Sequence, residues 1–186
     1  MARTVLSPAA TNILARLSVE DVETLVGCSS YPQFHDMLAS YLSGDCPCIF
    51  CNIDRVKNEV LYERNGWVAW VVPQRYTTRT KTLSLQLVFF PQRHVRRHRE
   101  LTPEERIRFF EVIDWAEATF DMPGGAIISR FGDMRYNVGT VQHLHATIMV
   151  PNRLGRVLIP IQKSRRMHQA HTQQMYGFLE TYVQTA

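Results

Sequence analysis

Long uncharged apolar runs are missing from this chain. The cleanest, Leu83–Phe90, is already interrupted by Ser84 and Gln86, far short of the roughly 18–20 residues that cross a bilayer. An integral membrane protein is therefore not expected. The first 18 residues contain Arg3 and Arg16 but no acid, a faint transit-peptide character, and no apolar segment followed by a small-residue cleavage site. The expected location is the cytoplasm. Low complexity and internal repeats are absent too: nine Gly and nine Pro are spread through 186 residues that are 45% hydrophobic and 20% charged, the mix of a folded chain rather than a disordered or fibrous one. Charge of one sign is in small excess, +4 from 21 Lys+Arg against 17 Asp+Glu. That balance suits anionic partners without the dense basic run that singles out nucleic acid, so phosphorylated small molecules fit as well as polynucleotides.

Cysteine is also sparse, with four residues, but three of them crowd into Cys46-Pro-Cys48-Ile-Phe-Cys51. Without a secretion signal these read as reduced thiols or metal ligands rather than a disulfide framework. The length suits one domain with a sizeable core.

The first 45 residues read as short helices. Ser7-Pro8 is an N-cap with Pro at the first helical position, Ser18-Val-Glu-Asp21 is an acidic capping box, and Phe34, Met37, Leu38, Tyr41 and Leu42 have helical spacing. The period then changes. Val60–Arg64 and Trp67–Val72 flank Asn65-Gly66, the pair that a type I′ hairpin turn prefers. Leu83–Phe90 alternates and then becomes wholly apolar, as a central strand does. Thr102-Pro103-Glu104-Glu105 opens a helix that runs to Phe120 and stops before Pro123-Gly124-Gly125. Strands are expected over 125–130, 144–150 and 157–162, and a closing helix over 164–183. The sum is an α+β domain with an antiparallel sheet of about five strands and flanking helices. Its expected parts are an N-terminal helical extension (1–45), the sheet domain (46–162) and a C-terminal helix packed on it (163–186).

Cys48-x-x-Cys51 has the spacing with which two thiolates grip one Zn²⁺, a site that needs two more ligands. Cys46 offers a rival pairing, and buried reduced thiols are the plain alternative. Among seven histidines, His94 follows the apolar strand in Pro91-Gln-Arg-His94, and His143-Leu-His145 puts two imidazoles on one strand face. His35, His98, His168 and His171 read as surface residues. Trp67, Trp70 and Trp115 read as core rather than base-stacking side chains.

Four segments in order, Cys48-Ile-Phe-Cys51, Phe90-Pro-Gln-Arg-His94-Val, Glu100-Leu-Thr-Pro-Glu-Glu105 and Gly139-Thr-Val-Gln-His143-Leu-His145-Ala-Thr147-Ile-Met-Val-Pro151, resemble the histidine triad superfamily. The likeness covers about Cys46 to Pro151 and is to the zinc-bearing branch related to galactose-1-phosphate uridylyltransferase and the dinucleoside polyphosphate phosphorylases. It implies a nucleotide hydrolase or nucleotidyl transferase acting on a phosphoramidate, dinucleoside polyphosphate or sugar nucleotide. The middle histidine, here His145, would attack the α-phosphate and form a covalent nucleotidyl-histidine. By position, Cys48, Cys51, His94 and His143 would hold a structural zinc, and Asn137, Gly139 and Thr140 would form a phosphate-binding turn. The expected partner is a nucleotide or dinucleotide. The resemblance also suggests a homodimer, with Leu83–Phe90 or Trp67–Val72 as its apolar strand, although the N-terminal helices are an equal cover for that surface.

The chain departs from the pattern at three places. Thr147 stands where the family has a third His, or Gln in the transferase branch; its hydroxyl donates a hydrogen bond but is no acid near neutral pH. The approach to the triad is shortened to Gly139-Thr140-Val141. The acid that often holds the ribose has no counterpart in Trp67–Pro73. A second reading follows, a binding module that keeps zinc and a nucleotide pocket, or docks nucleic acid, without efficient chemistry. Two basic clusters are candidate polyphosphate contacts or merely solvated faces: Arg93, Arg96, Arg97 and Arg99, and Arg153, Arg156, Lys163, Arg165 and Arg166.

Overall fold

The computed structural model describes residues 5–72, 82–137, 141–157, 159 and 164–185. Among these described residues, six α-helices and five strands run in the order α1 (Pro8–Leu14), α2 (Val19–Val26), α3 (Tyr31–Ser43), β1 (Val60–Arg64), β2 (Trp67–Val71), β3 (Leu83–Pro91), α4 (Pro103–Phe120), β4 (Ala126–Arg130), α5 (Met134–Asn137), β5 (His145–Pro151) and α6 (Arg165–Thr185). The chain is α+β with one five-stranded antiparallel sheet and flanking helices, as the sequence predicts. Among the described residues no helix is long and apolar enough to cross a membrane.

The chain forms two compact units. One takes in Met1–Cys48, Asp133–Gln142 and Pro160–Ala186; the other takes in Ile49–Gly132 and His143–Ile159.

The helical unit starts from strong local signals. Ser7 accepts from the Ala10 amide, Ser18 and Asp21 cap each other reciprocally, and Gly44 ends α3 in the left-handed conformation (φ 84°). Each device satisfies backbone groups that a helix end leaves without partners. Phe34, Leu38, Leu25 and Ala10 are fully buried with Met175 and Leu179 of α6. Two long-range polar contacts accompany that core: the Ser7 amide donates to Glu180 Oε1 (2.6 Å), and His168 Nε2 meets Glu23 Oε2 (2.9 Å). His168 is thus half-buried and engaged, not simply a surface residue.

The sheet unit has the strand order β1-β2-β3-β5-β4. The β1–β2 turn is the expected one: Asn65 (φ 53°) and Gly66 (φ 77°) both have positive φ, with Arg64 paired to Trp67. On one face of the sheet, Trp67, Ala69, Leu87, Phe89, Ala146, Ile148 and Val150 form a core with Val112 and Ala116 of α4. The Trp67 indole donates to the Glu105 carbonyl (3.1 Å). A capping box between Thr102 and Glu105 fixes the start of α4, and Glu105 also accepts two hydrogen bonds from Arg93 (3.0 and 2.6 Å). The opposite face presents Val68, Trp70, Val88, Phe90, His145 and Thr147, all buried.

Two expectations are corrected here. Trp67–Val71 and Leu83–Pro91 are interior strands, paired on both edges, and the sheet edges are β1 and β4; the apolar strands named for dimerisation are consumed by the sheet itself. His98 is half-buried, with Nε2 2.7 Å from Ser129 Oγ and its ring beside Phe109 and Phe131, so it is not a surface residue. The strand expected over 157–162 falls mostly outside the described residues, and Val157 and Ile159 are not in a strand.

Candidate metal and nucleophile site

The sheet brings the separated motifs together because β3 and β5 are neighbours. Phe89 pairs with Ala146 and Val88 with Thr147, so the chain leaving β3 through Pro91 to His94 runs beside the chain entering β5 through His143. The Leu144 amide donates to the Val95 carbonyl (2.6 Å), tying these two segments across the strand ends. Cys48 is the residue immediately before the sheet unit begins, and Ile49-Phe50 joins it to Cys51. Chain connectivity alone keeps the two thiols within reach of each other.

The outcome is that one ligand atom from each of Cys48, Cys51, His94 and His143 lies within 4.8 Å of all the others. Cys51 Sγ is 3.1 Å from His94 Nδ1 and 3.7 Å from His143 Nδ1. Ligand atoms around a tetrahedral zinc bound by two sulfurs and two nitrogens are about 3.3–3.8 Å apart, so this donor set fits such an ion. The second ring nitrogen of His143 supports the same reading: Nε2–H donates to the Pro91 carbonyl (2.9 Å), which leaves the Nδ1 lone pair facing Cys51. Burial pushes the His143 imidazole down to about 4, with nearby His94 adding to the effect, and keeps it neutral as a ligand must be. His94 is lowered in the same way, by burial first and then by Arg96. Cys46, the rival in the sequence, is exposed and stands outside this group.

His145 follows on the same strand face. Its Nδ1–H donates to the His143 carbonyl (2.8 Å), which fixes the tautomer and leaves the Nε2 lone pair unprotonated. Burial, with a smaller contribution from Arg130, holds its pKa below the ordinary imidazole value. A neutral, oriented imidazole of this kind is a competent nucleophile at neutral pH. Thr147, two residues on, shares the face and is buried at 7% exposure.

Three contributors escape the sequence motifs. Phe50, inside the CxxC, stacks on Phe90 (4.1 Å between ring centroids) and meets both His143 (5.6 Å) and His145 (5.2 Å) edge-on. It thereby packs the thiol-bearing turn against both imidazoles. Trp70 is buried as expected, but at this site, beside Phe50 and Phe90. Arg130 of β4 pairs with His145 across the sheet. The signal for Phe50 was an aromatic residue between two cysteines; Arg130 had none, because strand pairing brings it there.

Asn137 ends the one-turn helix α5, while Gly139 and Thr140 lie outside the described residues. Of the first basic cluster, Arg93 is engaged by Glu105 and the Glu100 carbonyl (2.7 Å), and Arg97 packs against the Gly132 backbone. An open groove of about 560 Å³ lined by His98, Arg99, Leu101, Arg106, Phe109 and Phe110 lies on the α4 side of the sheet, away from His145.

No family model matches the chain, and no curated protein does. Several solved structures are similar to it. A member of the HIT family of proteins from Bacillus subtilis has 19% identity over 65% of this chain and 84% of its own, with a TM-score of 0.47. A HIT family protein from Bacillus anthracis has 20% identity, covering 75% and 97% of the two chains, with a TM-score of 0.46. A HIT family hydrolase from Clostridium thermocellum has 17% identity, covering 61% and 97%, with a TM-score of 0.44.

Proposed function

We propose that this chain is a member of the histidine triad superfamily and acts as a nucleotide hydrolase or nucleotidyl transferase, with His145 as the nucleophile at the α-phosphate. The observation that carries the proposal is the Nδ1–H bond from His145 to the His143 carbonyl, which presents an unprotonated Nε2 on a buried strand. In the first step Nε2 forms a bond to the α-phosphorus while the bond to the leaving group breaks. In the second, water or another acceptor attacks that phosphorus and the electron pair returns to Nε2. Thr147 donates a hydrogen bond to a phosphate oxygen, and the turn Asn137–Thr140 is the sequence's choice for further phosphate donors.

Cys48, Cys51, His94 and His143 are proposed to hold Zn²⁺. With all four positions filled by protein, the ion supplies a structural cross-link rather than a water-activating Lewis acid. Its contribution would be rigidity: His143, one of the proposed ligands, is the same residue whose carbonyl orients His145.

A second reading is favoured by one residue. Thr147 is too weak an acid to protonate a poor leaving group near neutral pH, and a nucleotide- or nucleic-acid-binding module without turnover is the consequence if that acid is indispensable. Intact-mass spectrometry after brief incubation with nucleotides and dinucleotides, under non-acidic denaturation, separates the two. The expected result is a nucleotidyl adduct or released product that vanishes in His145→Ala while zinc content and circular dichroism stay unchanged. Saturable binding with neither adduct nor turnover establishes the binding module instead.

A further inference from the structure

The open groove of about 560 Å³ on the α4 side of the sheet combines cations with aromatic rings, in a volume that suits a small organic molecule. Its cations are Arg99 and Arg106. The Arg106 guanidinium donates to the Arg99 carbonyl (3.5 Å), which holds the two residues side by side. Among the described residues neither guanidinium meets a carboxylate. The acids of this stretch are turned to other partners: Glu100 accepts from the Arg96 amide (2.8 Å) and Glu105 from Arg93 (2.6 Å). Of the rings, Phe109 packs inward on Phe89, while Phe110 is 64% exposed and meets Phe109 edge-on (5.4 Å between centroids). His98 is anchored through Nε2, 2.7 Å from Ser129 Oγ. Its Nδ1 has no partner among the described residues and stays open to solvent. Burial, with Arg106 adding to it, holds this imidazole below its ordinary value and so neutral.

We infer that this groove is a second binding site, for a small phosphate ester that carries a planar aromatic ring, a nucleoside 5′-monophosphate being the plainest member of the class. Charge and size point the same way. A phosphate dianion matches the two positive charges of Arg99 and Arg106, whose forked N–H donors suit its oxygens. The exposed Phe110 ring offers a planar body a stacking face, and His98 Nδ1 offers it a hydrogen bond. A polynucleotide needs cations repeated along a track, whereas Arg93 and Arg108, the neighbours of this pair in the chain, are held by Glu105 and Glu111. The groove therefore matches one nucleotide unit rather than a strand. It lies on the core face of the sheet with Phe89 and Phe109, opposite the face of His145 and Phe90. Filling it does not depend on the covalent reading of His145.

The test follows amide NMR shifts of the isotope-labelled full chain during titration with the 5′-monophosphates of adenosine, guanosine and uridine, with inorganic phosphate alone, and with a single-stranded oligonucleotide. The expected result is a saturable set of shifts within residues 98–110 that persists in His145→Ala. Arg106→Gln and Phe110→Ala replace exposed side chains, so circular dichroism should not change. Each is expected to weaken binding in the groove about 10-fold or more while any shifts in β5 remain. Inorganic phosphate should bind at least about 10-fold more weakly than the preferred monophosphate, for want of a ring to stack. Shifts confined to β5, or unchanged groove affinity in either variant, overturn the inference and leave the covalent reading standing. Inorganic phosphate that binds as tightly as the monophosphates overturns it too, since the rings then contribute nothing. So does an oligonucleotide that binds the groove more tightly than any monophosphate. Shifts in 98–110 that follow protein concentration, with a doubled mass in light scattering, would make the occupant a second copy of this chain instead.

Discussion

The two units bury different kinds of side chain. Among the described residues of the helical unit the buried set is Ala10, Leu25, Val26, Cys28, Phe34, Leu38, Met134, Met175 and Leu179, with Thr24 as its buried polar residue. The sheet unit buries His143, His145 and Thr147 within five residues of one strand and its approach. Burying polar groups costs free energy unless each is hydrogen-bonded. The helical unit avoids the cost with an apolar core, and the sheet unit meets it with backbone carbonyls for two imidazoles. Concentrating this expense at one place is what singles out the sheet unit as the place of the proposed chemistry.

Metal loss should break the comparison most sharply. If the four residues hold zinc as proposed, removing it with a chelator, or substituting Cys51→Ser, is expected to lower Tm by about 10 °C or more, because binding energy at a closed structural site is folding energy. In hydrogen exchange, protection should fall in β3 and β5 far more than in α3 and α6. Equal loss in both would show that the metal braces the whole chain rather than the sheet unit.

Phe50→Ala and Phe34→Ala form a matched pair, both deleting buried rings (6% and 0% exposed). Each should cost about 3–5 kcal/mol in denaturant unfolding. Only Phe50→Ala should also weaken zinc retention and adduct formation, since its ring packs on His143 and His145. A loss of zinc in Phe34→Ala would erase the distinction.

Thiol chemistry sharpens the contrast at smaller scale. Burial pushes the Cys28 thiol up to about 11, whereas Cys46 is exposed. With iodoacetamide at pH 7.5, Cys46 should be alkylated first and Cys28 only on unfolding. Cys48 and Cys51 should become reactive when the metal is stripped, which mapping of the labelled peptides would show.

The smallest effect is expected from pH. The Arg93 guanidinium beside Glu105 holds that carboxyl below the usual carboxylate range. Stability from this depressed group is fully present above the unfolded value of about 4.3 and is lost as pH falls through the folded value. Glu105→Gln should flatten the stability profile there, with Tm at pH 7 falling by only about 2 °C, because Arg93 is largely solvated. A steep acid dependence that persists in the variant would assign the effect to other carboxylates.

Local chemistry was legible where a residue's own neighbours decide the outcome. Ser18 and Asp21, Thr102 and Glu105, and Asn65-Gly66 each specify a cap or turn through atoms a few bonds away, and all three formed as expected. Cys48, Cys51, His94 and His143 were legible as a ligand set through the resemblance to the histidine triad superfamily, whereas thiol spacing and alternating imidazoles by themselves left Cys46 and His145 as rivals. Which strands lie inside the sheet was not legible, since an apolar run such as Trp67–Val71 reads alike at an edge or between two partners.

What the sequence determined by itself was therefore the caps, the hairpin turn, the reactive groups and most of the elements, though not α5. The tertiary structure alone decided the strand order that makes β3 and β5 neighbours, the ring of Phe50 laid against both imidazoles, and the placing of Arg130 across from His145. These are cross-strand and stacking contacts between residues far apart in the chain. They arise from burying both faces of one sheet, a requirement that no local segment encodes.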